Sequence, residues 1–297
     1  MILAITGATG FVGGHLVDQA LAAGHRIRAL ARRRQAPRDG VEWIAGALDH
    51  PAALARLVAG ADAVVHIAGA VNTDRAGFIA ANVEGTRAVL DAATDAGVRR
   101  LVHVSSLSAR EPQLSLYGWS KREGEALVGA SDLGWTIVRP SGVYGPGDTE
   151  LRDMFRMAKL GLALLPPPGL VSLVAVEDLA ALLLALAGET GHRRIYEVDD
   201  GHVMTHAELA QAIGTAVGQR VLPLHLPRPL LSLAAAFDTR LRGTAAKLTR
   251  DRVGYLCHPD WTADSARRPP AELWTPRIPI AQGLAATAAW YRSRGLL

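Results

Sequence analysis

Three observations predict an α/β fold built on a doubly wound parallel sheet. Short runs rich in Val, Ile and Leu alternate with helical stretches through the first half of the chain. The runs hardly alternate apolar with polar residues, as strands buried on both faces should not. A glycine-rich turn follows the first run and opens the first helical stretch.

The strands are expected at 2–6, 26–31, 41–44, 63–67, 101–104 and 135–139. Helices are expected between them at 12–22, 52–58, 76–94 and 117–128, with Gly24 and Gly97 placed as left-handed caps. After Arg139-Pro140 the rhythm changes. Pro166-Pro167-Pro168-Gly169 must be a loop. Thr205-His206-Ala207-Glu208 reads as a capping box opening a helix to about Val217, and 230–240 and 281–292 read as further helices. The expected organisation is a dinucleotide-binding domain over 1–140 and a smaller, mostly helical substrate lobe over 141–297, with 174–187 returning to the first domain.

A chain of 297 residues, 49% hydrophobic and 20% charged, is neither disordered nor a coiled coil. Its one cysteine, Cys257, excludes an internal disulfide and a cysteine-rich metal site, and suits a reducing compartment. The longest apolar runs, 179–187 and 230–237, are about half a bilayer span. Met1 leads straight into Ile2-Leu3-Ala4-Ile5 with no basic segment before it, so a cytoplasmic location is expected. The net charge of +4 suits an anionic small-molecule ligand. With no aromatics interleaved among the basic residues, a nucleic-acid partner is not expected.

Thr6-Gly7-Ala8-Thr9-Gly10-Phe11-Val12-Gly13 stands between the first strand and the first helix. Gly7, Gly10 and Gly13 permit a tight turn, close approach to a pyrophosphate and close helix–strand packing, with the helix N-terminus facing the phosphates. Thr9, Phe11 and Val12 complete that cradle. The second strand ends in Ala31-Arg32-Arg33-Arg34 rather than in an acid. Arginine forks match a phosphate, so Arg32, then Arg33, favour the 2′-phosphate of NADP, with NAD as second choice.

Tyr117-Gly118-Trp119-Ser120-Lys121 sets a phenol and an ammonium one helical turn apart. The nearby cation favours the phenolate, which suits Tyr117 to proton transfer. Ser105-Ser106 stands just upstream at a strand end, where a serine can hydrogen-bond a reacting oxygen. His202 and His206 are separated by the cap at Thr205 and are not read as a metal site. Cys257 has no motif around it. His66 is expected to pack at a strand end. The leucines at 162–165 and 170–173 either line an apolar pocket or pack the small lobe.

These segments, together with His66-Ile67-Ala68-Gly69, Asn82-Val83-Glu84-Gly85-Thr86, Arg139-Pro140-Ser141-Gly142-Val143-Tyr144-Gly145-Pro146 and the closing Trp290-Tyr291, make the chain resemble an extended short-chain dehydrogenase/reductase of the NAD-dependent epimerase/dehydratase family. The resemblance implies a Rossmann-type domain. It implies that Tyr117 is the general acid/base, that Lys121 favours the phenolate and holds the nicotinamide ribose, and that Ser106, with Ser108 as fallback, polarises the reacting oxygen. By the same resemblance Ala68 and Gly69 pass under the cofactor, and Pro140 and Val143 meet its nicotinamide end. A homodimer through the helices at 76–94 and 117–128 is also implied.

Two departures stand out. The family's Gly-Asp-Leu after the third strand is here Gly46-Ala47-Leu48, which leaves the adenine contact to the Leu48 backbone or Asp49. Only ten residues separate Ser106 from Tyr117, where nucleotide-sugar enzymes of the family carry a longer insertion. The leading expectation is an NADP(H)-dependent oxidoreductase acting on a carbonyl or secondary alcohol. The alternatives are a nucleotide-sugar epimerase or dehydratase with tightly held NAD, and a non-catalytic NADP-binding protein.

Overall fold

The computed structural model describes residues 1–189, 193–243, 246 and 248–297. The chain divides into two compact units. The first comprises 1–140, 176–198 and 264–275, and the second 141–175, 199–263 and 276–297. Segments 188–198 and 264–275, which the sequence reading left in the C-terminal lobe, therefore fall in the first unit.

The first unit opens with β1 (Ile2–Thr6), α1 (Phe11–Ala22), β2 (Arg26–Ala31) and β3 (Val41–Ala45). It continues with α2 (Pro51–Val58), β4 (Ala63–His66), α3 (Arg75–Phe78) and α4 (Gly85–Asp95), then β5 (Arg100–Val104), α5 (Leu116–Ala130) and β6 (Gly134–Pro140). The expected single helix at 76–94 is interrupted: between α3 and α4 the chain takes a π-helical turn over Ile79–Glu84. Such a turn widens the backbone spiral and is common at functional sites.

The second unit carries β7 (Gly142–Tyr144), α6 (Arg152–Lys159), β8 (Leu162–Leu165), β9 (Leu170–Val171) and β10 (Leu173–Ala175). The chain then returns to the first unit as α7 (Val176–Gly188) and β11 (Arg194–Val198). It closes in the second with β12 (Met204–Thr205), α8 (His206–Val217), β13 (Leu222–His225), α9 (Arg228–Arg242), α10 (Arg250–Leu256), β14 (Asp260–Trp261) and α11 (Ile280–Ser293).

The central sheet has seven strands in the order β11-β6-β5-β4-β1-β2-β3, all parallel. The order reverses between β1 and β4, and in such sheets ligands bind at the carboxyl ends of the strands beside that reversal. On one face Ala4, Leu30, Ile44, Val64, Leu101 and Ile137 pack with residues of α2, α4 and α5. Helices α1 and α7 pack together and contact β2, β4 and β5. Double coverage explains why the strands read as apolar runs without alternation.

In the second unit the helices are accompanied by three small sheets, β10-β7, β12-β9-β14 and β13-β8, which the sequence reading did not anticipate. Strands of two to four residues are too short to show a period. The unit has its own core, which includes Tyr144, Phe155, Leu209, Ile213, Leu284 and Tyr291. There the Tyr291 hydroxyl donates to Asp148 at 3.1 Å. The capping box forms as expected, with Thr205 accepting from the Glu208 amide and Glu208 accepting from the Thr205 amide.

One buried charge network ties β6 to α5 and β11. Arg139 donates to both oxygens of Glu125, at 2.8 and 2.6 Å, and to Glu197 at 3.2 Å. Glu197 also accepts from Arg110 at 3.1 Å and from the Asp264 amide at 3.0 Å. Two guanidinium groups thus balance two carboxylates, with Arg139, Glu125 and Glu197 buried and Arg110 partly exposed at the edge. Removing one partner strands a buried charge, which typically costs about 3–5 kcal/mol. Arg139→Met is therefore expected to lower the unfolding free energy by about that amount in denaturant titration, whereas Arg122→Met, at a half-exposed position beside the network, should change it by under about 1 kcal/mol.

Candidate active site

The site begins where the backbone is most crowded. Gly7 has a φ of +77°, and a Cβ there would stand 2.7 Å from the Ala68 amide nitrogen. A Cβ on Gly13 would run into the Gly7 carbonyl. The end of β1, the first turn of α1 and the end of β4 are therefore held in backbone contact that only glycine allows. Gly10 is the N-cap of α1 and closes the turn through its amide to the Gly7 carbonyl at 2.9 Å. No side chain caps this helix. A helix N-terminus without a side-chain cap, reached through a turn that a Cβ would fill, fits the pyrophosphate of a dinucleotide. Thr9 is exposed on that turn, and Phe11 and Val12 are half-buried in the first helical turn. Arg32 and Arg33 are exposed just past β2 and make no ion pair among the described residues. Leu48 packs against the core under the sheet and touches Gly85.

Beside the glycine turn runs a hydrogen-bond chain with one direction. The Ala68 amide donates to Thr6 Oγ1 at 3.2 Å, and Thr6 Oγ1 lies 2.7 Å from His66 Nδ1. His66 Nε2 lies 3.1 Å from Thr86 Oγ1, and the Thr86 hydroxyl donates to the Asn82 carbonyl at 2.8 Å. Because the single Thr86 proton is committed to Asn82, His66 must donate from Nε2 and accept at Nδ1. The ring is therefore neutral and in one tautomer. Burial, then the Lys121 charge, push its pKa down to about 3. Asn82 sits in the π-helical turn and closes the loop. Its amide accepts from the Ala70 amide at 2.7 Å and donates to the Ala70 carbonyl at 3.0 Å and to Ser120 Oγ at 2.8 Å. The backbone of Ala68, Gly69 and Ala70 is thus clamped from both sides.

On α5, capped by Ser115, Tyr117 and Lys121 lie one turn apart. Lys121 is buried and donates to the Val104 carbonyl at the end of β5 at 2.7 Å. A Cβ built on Gly69 would stand 3.9 Å from its Nζ. Burial holds the Lys121 ammonium at a pKa of about 8, against a smaller opposing pull from Glu125. Tyr117 is half-buried, its ring 6.1 Å from that of Phe78. Ser106 caps the short helix at Leu107–Arg110, and its Oγ accepts from the Ser108 amide at 3.2 Å and the Ser108 hydroxyl at 2.7 Å. With both lone pairs taken, the Ser106 proton is left to donate elsewhere. Ser105 and Ser108 are buried, whereas Ser106 is half-exposed.

A family model described as NAD(P)H-binding matches residues 7–190. The chain is 38% identical to the Ceramide reductase of Caulobacter vibrioides over 310 aligned positions, covering 100% of this chain and 96% of that one. It belongs to the NAD(P)-binding short-chain dehydrogenase/reductase family, of the extended epimerase/dehydratase type. The chain is also 30% identical to a 3-diazoavenalumate denitrifying reductase of Streptomyces, over 88% of this chain and 98% of that one. Among solved structures, that of gox2253 matches with a TM-score of 0.79 at 24% identity, over 100% of this chain and 99% of that one. MoeE5 in complex with UDP-glucose and NAD matches at 0.76 and 23%, with the same coverage. At that identity the two structures speak for the fold alone.

Within this dehydrogenase/reductase fold, the glycine turn, Ala68, Gly69, Ser106, Tyr117, Lys121 and Pro140 all lie in the first unit, at the carboxyl ends of β1, β4, β5 and β6 or on α5. Val143 lies on β7 of the second unit. Three participants carried no signal of their own. Asn82 was visible only as part of a motif, not as a clamp. His66 is a hydrogen-bonded link rather than simple packing. His103, on β5, lies with its ring 5.1 Å from that of His66, and neither of its nitrogens has a protein partner among the described residues.

Burial, then Lys121 and His66, also hold the His103 pKa well below its ordinary value. Both rings are neutral when folded, but protonate in the unfolded chain below about pH 6.5. Stability is therefore full above that pH and falls as the pH drops, each histidine costing about 1.4 kcal/mol per pH unit. His103→Leu, which breaks no protein hydrogen bond, should flatten the decline between about pH 6 and 4 by one histidine's share, measured by urea unfolding at each pH. An unchanged slope would mean that His103 takes up a proton in the folded state.

Proposed function

We propose that the chain is an NADP(H)-dependent reductase of a ketone on a long-chain lipid, with Ser106, Tyr117 and Lys121 as its catalytic set. The observation that carries this reading is the likeness to a ceramide reductase, which runs through both units at 38% identity rather than through the dinucleotide-binding half alone. The apolar depression of the second unit, lined by Met154, Met157, Ala163, Leu164, Leu165 and Ile213, encloses only about 10 Å³, room for one water and not for an acyl chain.

A bound NADP(H) would supply or accept the hydride at the substrate carbon. The residues of the chain manage the oxygen. Ser106, already accepting from two donors, directs its proton at the substrate oxygen and stabilises negative charge there as the carbonyl is reduced. Tyr117 gives its phenolic proton to that oxygen, and takes it back in the oxidative direction. Lys121 favours the phenolate left behind and holds the ribose of the cofactor. With NADP(H) bound, Gly7, Thr9, Gly10, Phe11, Val12 and Gly13 would hold the pyrophosphate, Ala68 and Gly69 would pass under the cofactor, and the Leu48 backbone would meet the adenine. Pro140 and Val143 would meet the nicotinamide end. Arg32 and Arg33, unpaired and exposed, select the 2′-phosphate.

Titration should show NADPH binding at least about tenfold more tightly than NADH, a difference of about 1.4 kcal/mol. Arg32→Asp should erase or reverse that preference. Equal affinity in the wild type would contradict the assignment to Arg32. The reaction itself is tested by following NADPH oxidation with a long-chain β-keto amide, against a UDP-sugar assayed without added cofactor. Turnover of the sugar on tightly held NAD would overturn the reductase reading in favour of an epimerase.

Tyr117→Phe should lower kcat by about 10²–10⁴-fold while NADPH affinity changes little. Lys121→Met should weaken both. The same Lys121 substitution has an opposite effect on stability. Because the folded pKa of Lys121 lies near 8, below its unfolded value, the unfolded chain binds the extra proton more readily. Wild-type stability therefore carries a cost below pH 8 that fades as the pH rises toward about 10. Apo Lys121→Met should melt no lower than wild type at pH 7 and lose that relative advantage at pH 10.

A further inference from the structure

The second unit carries an apolar face that its own core does not use. In α9 only Leu231 and Ala235 are buried, packing with Val253 of α10 in a small cluster of their own. Leu230, Leu233, Phe237 and Leu241 are exposed, Leu233 and Phe237 at 68% each. These four follow one another at three- and four-residue steps, so they form one stripe along the helix. Ala234 and Ala236, beside them, are exposed as well. Among the described residues, half of the large apolar side chains that stand exposed fall between Leu222 and Leu241, where β13 runs into α9.

The exposed charges on this helix are of one sign. Arg228, Arg240 and Arg242 are exposed, and Arg240 stands one turn from Phe237 on the side of the stripe. The only acid in α9 is Asp238, whose side chain is 18% exposed, pairs with Arg242 at 3.2 Å and accepts from the Leu248 amide. Arg228 and Arg240 make no ion pair among the described residues. An exposed apolar stripe flanked by arginines, with no exposed carboxylate, complements an anionic lipid surface: the apolar side chains enter the acyl boundary while the guanidinium groups meet phosphates. No helix of the described residues is long and apolar enough to cross a membrane, so contact of this kind would be peripheral.

We propose that α9 docks the protein onto anionic bilayer surfaces through Leu230, Leu233, Phe237 and Leu241, with Arg228 and Arg240 as its headgroup contacts. Docking does not depend on which substrate the enzyme reduces. It needs the stripe and the arginines together, which separates it from general attraction of a basic protein to acidic vesicles.

The test is co-sedimentation of the full chain with vesicles of equal parts phosphatidylglycerol and phosphatidylcholine, against pure phosphatidylcholine. The wild type should sediment with the first and hardly with the second. Leu233→Ser/Phe237→Ser should cut partitioning by at least about tenfold, and Arg228→Gln/Arg240→Gln by roughly fivefold per arginine. Both variants change exposed side chains, so their melting temperatures and NADPH affinities should match the wild type, which excludes misfolding as the cause. Three results would overturn the proposal. One is a wild type that stays in the supernatant with acidic vesicles. Another is a serine variant that sediments as fully as the wild type, which would assign binding to overall charge. The third is a wild-type dimer in size-exclusion chromatography that Phe237→Ser dissociates, which would assign the stripe to a second copy of the chain.

Discussion

The site depends on keeping an ammonium out of water at the end of a parallel sheet. Lys121 is enclosed by the ends of β4 and β5 and by the π-helical turn, and burial lowers its affinity for a proton. A charge in such a place is tolerable only if its surroundings are polar, hydrogen-bonded and not themselves positive. The Val104 carbonyl meets the first need. The two histidines beneath it meet the last by staying neutral, and the lysine itself is one reason they do. The lysine charge thus keeps His66 neutral, while the Thr86 bond to the Asn82 carbonyl sets which of its nitrogens donates. Glu125, one turn further along α5, adds a partial counterweight, but its carboxylate is already gripped by Arg139.

That arrangement separates two duties in neighbouring layers. The Arg139 network holds α5 against β6 and β11 with balanced charge and full hydrogen bonding. The Lys121 layer above it is left unbalanced. An unbalanced buried cation costs stability and is a poor choice for holding a fold together, which marks Lys121 as a candidate functional group. The expense falls on the first unit, whose doubly covered sheet can carry it.

Most of the first unit could be read from the sequence because its signals are local and repeated. Apolar runs, a glycine turn and alternating helices each point to the same sheet, and the strand ends were located to within a residue or so. The π-helical turn was invisible, since Ile79–Glu84 keeps a helical composition and the extra residue per turn leaves no mark on it. The clamp on Ala70 was invisible for a related reason: Asn82 and Ala70 are close only once the turn has formed. In the second unit the two-residue strands β9, β12 and β14 pair residues far apart in sequence, so no window along the chain could register them. The stripe on α9 was read as an apolar run, and its exposure could not be, because sequence periodicity marks a helix face without saying what covers it.

The short connection between β5 and α5 is where the chain's own chemistry diverges from that of a generic dinucleotide binder. Eleven residues leave room for one turn of 3-10 helix at Leu107–Arg110 and little else. Ser106 must cap that helix, so its lone pairs are committed to Ser108. Gly118 then presses against the Ser108 carbonyl, where a Cβ would stand 2.5 Å away, and this fixes α5 against the same short helix. A serine whose acceptor capacity is used up can only donate, and a tyrosine on a helix locked to that serine's cap has little freedom in where its hydroxyl goes. The short connection thus fixes the Ser106 cap and the first turn of α5, which carries Tyr117, relative to each other.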